Sequence, residues 1–593
     1  MKTKYLVLLI LPTTILSSCG LFATKKTAEK EIAVYDIDKL DDEGNLSSGY
    51  QTTLKTRYIE GQELVPFVTL AQYASLYEKH INTDKFTSKV EKVGYSDVWS
   101  IASEEGTYFA TEINYFTSQI ILAGSISSTY RSNDDPRDLK ALEYGLSTES
   151  TVETLTKQNY MVLNYGSFNI SRFTFENEHY FPLGLLDITY SDSSSIYFTY
   201  NYTNIISTRD VDNYSSLIYT TESGVDNTFE TEMTNDKPFY YVPDYLREYN
   251  ARLFLYLMDN FYGLKSIRGI KSMTNYYKKV GFYNKLFSSD DEVRLYGYSD
   301  ALSVLDDNHT ILHSVNNGVY HNTYEAARRF GEGCYNRRVL GGRLKQYRTA
   351  QYSNYPESVN IGKDILYSAD QKTALFSFDS FVFGKSSQVF NEDGSIKDTA
   401  KNYDTFIKLV DVLNTIKAKG GVENVVFDIS VNGGGVVGVM MKLLSLISRG
   451  NSSKTCFYYD NFGQAIIQTA KVDINNDKQY DTQDCFGNDF NFYLLTSDYS
   501  FSCGNAFPCY AKQQNIAKII GQKSGGGECT VAVHYLPNSE YVYHSSNMHI
   551  GYFDENKKEF VGFENGATPD IELNIDENFY SIESLNTAIR NAR

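Results

Sequence analysis

The sequence predicts a multidomain α+β protein: a tyrosine-rich β half, then a helical stretch, then a layered α/β core at the C-terminus. Three observations predict it. The chain has 593 residues, several times the usual domain size, so about two to four domains and a large buried core are expected. Aromatic content is 15%, nearly all of it 50 Tyr and 35 Phe, and these residues suit pleated, half-buried strands better than disorder. From about Ile365 onward, short apolar runs alternate with helical stretches, which is the pattern of a layered α/β core.

The N-terminus reads as a lipoprotein signal. Lys2 and Lys4 precede an apolar run from Tyr5 to Leu11, and Leu16-Ser17-Ser18-Cys19 follows as a lipobox. The run falls short of the ~20 apolar residues that span a bilayer. Residues 1–18 are therefore expected to be removed and Cys19 to be acylated, anchoring the chain on the extracytoplasmic face of the cell membrane. Residues 19–50, rich in Lys, Glu and Asp, read as a solvated tether.

Residues 51–240 contain a repeat. Tyr58 to Val68, including Pro66, leads into a helical stretch from Thr69 to His80, and Phe173 to Leu183, including Pro182, leads into another apolar stretch. Each copy reads as hairpin, proline, helix. The pattern resembles the small hairpin-and-helix module at the N-termini of copper amine oxidases and many bacterial surface proteins, with no active residue carried over. Alternating runs from Tyr108 to Ile121 and from Ser195 to Ile206 suit strands. Over residues 241–360 the apolar spacing becomes helical, as in Leu246, Leu253, Leu257 and Phe261. Residues 361–593 form the α/β unit, with strands predicted at Thr373–Phe378 and Val425–Ile429 and helices at Tyr403–Ala418 and Val437–Ser448.

Charge and cysteine usage exclude some functions. Lys and Arg number 55 against 73 Asp and Glu, a formal charge of −18, and no basic stripe is present to bind nucleic acid. After Cys19 six cysteines remain, with no C-x-x-C pair, so neither a structural metal nor a cofactor is expected.

Two stretches carry chemistry. Val425-Val426-Phe427-Asp428-Ile429-Ser430-Val431-Asn432-Gly433-Gly434-Gly435 runs from a strand through three glycines to a helix, so backbone amides can approach a ligand closely. No Lys-Ser or Lys-Thr follows, which excludes a Walker phosphate loop. Taken alone it reads as an ordinary turn. Phe492 to Thr496 is a strand, and Ser500-Phe501-Ser502-Cys503-Gly504 follows before a helix at Ala506–Gln514. A serine there has its hydroxyl near unpaired helix amides, which favour a developing negative charge. Taken alone it reads as a helix N-cap.

Together with Ala517 to Gly527 and Gly566-Ala567-Thr568-Pro569-Asp570-Ile571, these blocks resemble, in order, the C-terminal processing or tail-specific peptidases, a group that includes the tricorn core protease. The resemblance covers Asp244 to the C-terminus and is strongest from Val425 to Ile571. It implies a crotonase- and Clp-like core of strand-strand-helix units, a peptide or protein substrate, and Ser502 as nucleophile, with Ser500 as the alternative. It also implies oxyanion donors at Gly434 and Cys503. The processing branch places a lysine base twenty-five positions after the serine, where this chain has Gly527. The tricorn-like branch uses a histidine in an Asp-x-His-Thr block, similar to Asp307-Asn308-His309-Thr310, so His309 becomes the base and Glu564 the group that orients it. A serine hydroxyl needs such a base near neutral pKa, itself held by a third group. Asn505 stands where the family often carries an acid, and Cys503 where a small residue is usual. These departures leave open a scaffold that binds at the surface without catalysis, or an adhesion protein presenting tyrosines. The N-terminal module is expected to capture substrate.

Overall fold

A computed structural model describes residues 26–36, 51–129, 142–155, 160–194, 196–200, 204–208, 243–314, 323–351, 365–537 and 540–592. Cys19 and the lipobox lie outside these residues. Among the described residues no helix is long and apolar enough to cross a membrane.

The N-terminal half contains two sheets. In the first, of seven strands, the two hairpin copies lie side by side: Phe181 of Glu178–Pro182 pairs with Val68 of Phe67–Val68. Helices Leu70–Ser75 and Leu183–Ser194 leave those strands as the repeat predicts. The same sheet corrects the tether. Thr27–Asp36 is one of its inner strands, paired with Gln51–Ile59 on one side and Ile205–Thr208 on the other. Ile32 and Val34 turn inward at alternate positions and are 1% and 3% exposed, while Glu31 beside Ile32 is exposed. Average composition hid that period of two. The second sheet is an antiparallel run of five strands ending at Met161–Asn164. Its core is aromatic: Trp99 lies 5.5 Å from Tyr77, 4.9 Å from Phe109 and 5.8 Å from Tyr190, ring centre to ring centre. Many of the tyrosines therefore fill the interior, where offset and edge-on aromatic pairs are favourable.

The boundary expected near residue 240 does not separate two cores. Helices Asp244–Phe261, Met273–Val280 and Asp291–Ser303 bury Phe254, Leu257 and Tyr298 in one cluster with Tyr73, Trp99 and Leu186.

The C-terminal core is built on a six-stranded sheet in which Thr373–Ser377, Asn424–Asp428, Asn491–Thr496, Lys518–Gly521 and Ile571–Glu572 run parallel. Parallel strands covered on both faces read as continuous apolar runs, and Val425-Val426-Phe427 is such a run, all three residues fully buried. Val425 and Phe427 face helices Thr405–Lys419, Val437–Ile447 and Cys503–Gln513. Val426 faces Glu332–Gln351 and Ile582–Asn591 on the other side. Burying one such side chain contributes about 1.5–3 kcal/mol.

A second sheet of seven strands joins all parts of the chain. Ile311–Ser314, two residues after His309, pairs with Glu540–Asp554, and Leu146–Thr154 from the N-terminal half pairs with Gln464–Val472.

Candidate active site

Two strand-to-helix turns meet at the C-terminal end of the parallel sheet. The first follows Asn424–Asp428. Asp428 is fully buried, and its carboxylate accepts from Ser377 Oγ at 2.9 Å and Ser430 Oγ at 2.6 Å and faces Arg348 at 3.4 Å. Asn432 is held by donating to the Phe378 carbonyl at 3.1 Å. The chain then swings through Gly434 and Gly435 at φ +115° and +133°. Only glycine fits: a Cβ on Gly435 would lie 2.4 Å from the Phe381 carbonyl oxygen, and one on Gly434 would lie 2.7 Å from Ser502 Cβ and 3.0 Å from Ser502 Oγ.

The second turn follows Asn491–Thr496 and is stitched to the first. Ser497 Oγ donates to the Ser430 carbonyl at 2.6 Å, Ser500 Oγ to the Ile429 carbonyl at 2.8 Å, and the Phe501 amide to the Asn432 carbonyl at 3.0 Å. Ser500, the alternative nucleophile, is thus fully buried and engaged in structure. Ser502 differs. Its backbone sits at φ +56°, ψ −126°, a region that suits glycine and costs an L-residue about 1–3 kcal/mol. It occupies the N-cap position of Cys503–Gln513, yet its side chain makes no capping hydrogen bond. The N-cap reading therefore fails, and the half-buried hydroxyl faces Gly434. Such strained serines at strand-to-helix turns expose a hydroxyl beside backbone amides. The Cys503 amide lies 3.2 Å from where a Gly434 Cβ would stand and belongs to the first helical turn, whose donors have no intrahelical partner. The Gly434 amide, expected as the second donor, donates to Asn432 Oδ1 at 2.9 Å.

His309 is buried beside this turn, its ring centre 4.7 Å from that of Phe501. Asp307 holds the segment. Its Oδ1 accepts the His309 amide at 3.0 Å, and its Oδ2 accepts Thr310 Oγ1 at 2.6 Å and Ser545 Oγ at 2.7 Å. Burial lowers the His309 pKa, Asp307 opposes the shift and Arg337 adds to it. The imidazole is therefore neutral at pH 7 and able to accept a proton. Its Nδ1 is buried without a partner, and among the described residues no hydrogen bond joins the ring to Ser502 or to Glu564.

Glu564 instead fixes the glycine loop behind the nucleophile: Oε2 accepts the amides of Gly527 at 3.1 Å and Glu528 at 3.0 Å. Burial raises its pKa, the two amides oppose, and Asp307 and Glu528 nearby raise it further. The same loop explains the missing lysine. Gly527 adopts φ +86°, and a Cβ there would come within 2.5 Å of the Phe501 ring, so a lysine cannot be seated without moving Phe501. Lys523 is exposed. Asn505 also has a structural reason. Its Nδ2 donates to the Phe563 carbonyl at 3.0 Å and its Oδ1 accepts Ser524 Oγ at 2.7 Å, and an ionised aspartate has no donor for the first bond. The Cys503 thiol, buried and pushed up to about 12, donates to the Gly435 carbonyl at 3.1 Å. Sequence reasoning missed Asp307, Phe501 and Arg337 as parts of the site. Asp307 was legible in the Asp-x-His-Thr block, whereas nothing in the sequence marked Arg337.

No curated protein matches the sequence. Among solved structures, one of a candidate peptidase from Parabacteroides merdae has 17% identity over 59% of this chain and 97% of its own, with a TM-score of 0.39. Mature CPAF complexed with lactacystin has 10% identity over 59% and 98%, with a TM-score of 0.36. The tricorn protease has 11% identity over 86% and 47%, with a TM-score of 0.31. Residues 390–573, which contain Ser502, both strand-to-helix turns and Glu564 but not His309, match the family described as Peptidase family S41.

Proposed function

We propose that the chain is a serine endopeptidase of the tail-specific, tricorn-like type, with a core of the crotonase and Clp spiral kind, acting at the extracytoplasmic membrane surface through a lipid on Cys19. Cleavage proceeds by acyl transfer. His309 takes the Ser502 proton as Oγ attacks the peptide carbonyl, and the Cys503 amide receives the oxyanion together with the Gly434 amide, which must be shared with or released by Asn432. The imidazolium then protonates the leaving amine, and water, deprotonated by the same ring, frees the acyl group. Asp307 favours the charged ring, and Glu564 holds the loop behind Ser502.

The observation that carries this reading is the serine held at φ +56° on a helix N-terminus with its hydroxyl withheld from capping. Strain of this kind persists where the surroundings enforce it, as they do at functional sites. Its test is fluorophosphonate labelling of the full chain. Wild type is expected to label and Ser502→Ala to remain unlabelled; an unlabelled wild type sinks the proposal. A second reading, a surface-binding lipoprotein without catalysis, is favoured by the missing His309–Ser502 hydrogen bond, and an unlabelled wild type supports it. For the anchor, incorporation of labelled palmitate that is lost in Cys19→Ala is the expected result.

A further inference from the structure

The helix Glu332–Gln351 touches both halves of the site. At its start the carboxylate of Asp306, three residues before His309, accepts the amides of Gly333 at 3.0 Å and Cys334 at 2.7 Å. One turn further on, Arg337 spans two loops: Nε donates to the Asp498 carbonyl and Nη2 to the Gly525 carbonyl, each at 2.8 Å. Its Cζ stands 5.0 Å from the centre of the Phe501 ring, the ring that also meets His309. The two loops are those that fix the nucleophile. The Gly525 amide donates to the Ser500 carbonyl at 2.8 Å, and the Ser502 amide donates to the Gly526 carbonyl at 3.0 Å. The guanidinium is largely buried, with its side chain 16% exposed. Its planar fork suits two carbonyls at a fixed separation, which a single ammonium cannot reproduce.

We propose that Arg337 is a positioning residue that clamps the Asp498 and Gly525 loops around Ser502, while Asp306 ties the His309 segment to the same helix. Its consequence for rate rests on the Ser502–His309 reading; the clamp itself does not. The charged groups acting on His309 are Asp307 from its own turn and Arg337 from this helix. Removing Arg337 therefore removes a cation that disfavours the imidazolium.

The experiment compares full-length wild type, Arg337→Met and Arg337→Lys by hydrogen exchange and by the pH dependence of fluorophosphonate labelling. Exchange of the Ser502 and Gly525 amides is expected to rise in both variants, because neither restores the double contact. Labelling is expected to slow about 10- to 100-fold, as for a reactive group misplaced by around an ångström. The acid limb of labelling should move to higher pH in Arg337→Met and stay nearer wild type in Arg337→Lys, a distinction that loss of packing alone does not produce. Wild-type exchange at both amides in either folded variant overturns the clamp. Faster exchange with unchanged labelling rate and acid limb overturns the catalytic consequence. If wild type itself does not label, the peptidase reading fails, while the exchange data still decide the clamp; if Arg337→Met does not fold, Arg337→Lys decides alone.

Discussion

The two turns at the end of the parallel sheet solve the same geometric problem in opposite ways. After Asn424–Asp428 the chain turns through Gly434 and Gly435, where positive φ carries no Cβ penalty; after Asn491–Thr496 it turns through Ser502, where it does. The glycine turn supplies backbone and room. The serine turn accepts strain to hold a side chain in that room. Strain tolerated at one turn and relieved at its neighbour marks where chemistry, rather than stability, decided the residue.

This contrast can be broken in four ways, from the largest expected effect to the smallest. Ser502→Gly should abolish fluorophosphonate labelling while raising stability by about 1 kcal/mol, since the strained φ becomes free; a drop in melting temperature would show that the serine is not strained. Gly434→Ala places a methyl against Ser502 Oγ. Labelling should fall by ~100-fold or more, the scale of a lost oxyanion donor, with a melting temperature lowered by overpacking. Ser500→Ala leaves the buried Ile429 carbonyl without that donor. Urea unfolding should show a loss of about 1–3 kcal/mol while labelling persists, which separates the structural serine from the reactive one. Last, the labelling rate should fall as pH drops through the His309 pKa, which burial and Arg337 hold below the ordinary value near 6.5. The sign extends to stability: from about pH 6.5 downward the unfolded histidine takes up a proton before the folded one does, so the folded state loses stability there. An acid limb above 6.5 would remove His309 as the buried neutral base.

Much of this was legible in the sequence. Continuous apolar runs gave three of the five parallel strands, the change from Gly-Gly-Gly to an apolar helical run gave the first turn, and hairpin-proline-helix gave both module copies. Charged residues in Thr27–Asp36 masked a strand because pairing, not composition, decides a sheet. The Leu146–Thr154 strand was equally silent, its partner Gln464–Val472 lying far along the chain. At the site, the order of the blocks pointed to Ser502 and His309 as candidates, and the Phe501 ring next to Ser502 meets His309. Asn432 occupying the Gly434 amide, Phe501 filling the place of a lysine, and Arg337 bridging two loops arise from side-chain packing across distant segments, which no local pattern encodes.

The sheet that unites the chain has a consequence for its birth. Its two outer strands, Leu146–Thr154 and Ile311–Ser314, are made long before the strands they border, with Glu149 pairing to Thr469 and Ile311 to Tyr543. Leu146–Thr154 waits for Gln464–Val472, and Ile311–Ser314 waits for residues 540–543, before each can pair, and such distant pairings are slow to form. A truncated or clipped product would be left with an open strand edge, inviting aggregation in place of premature activity.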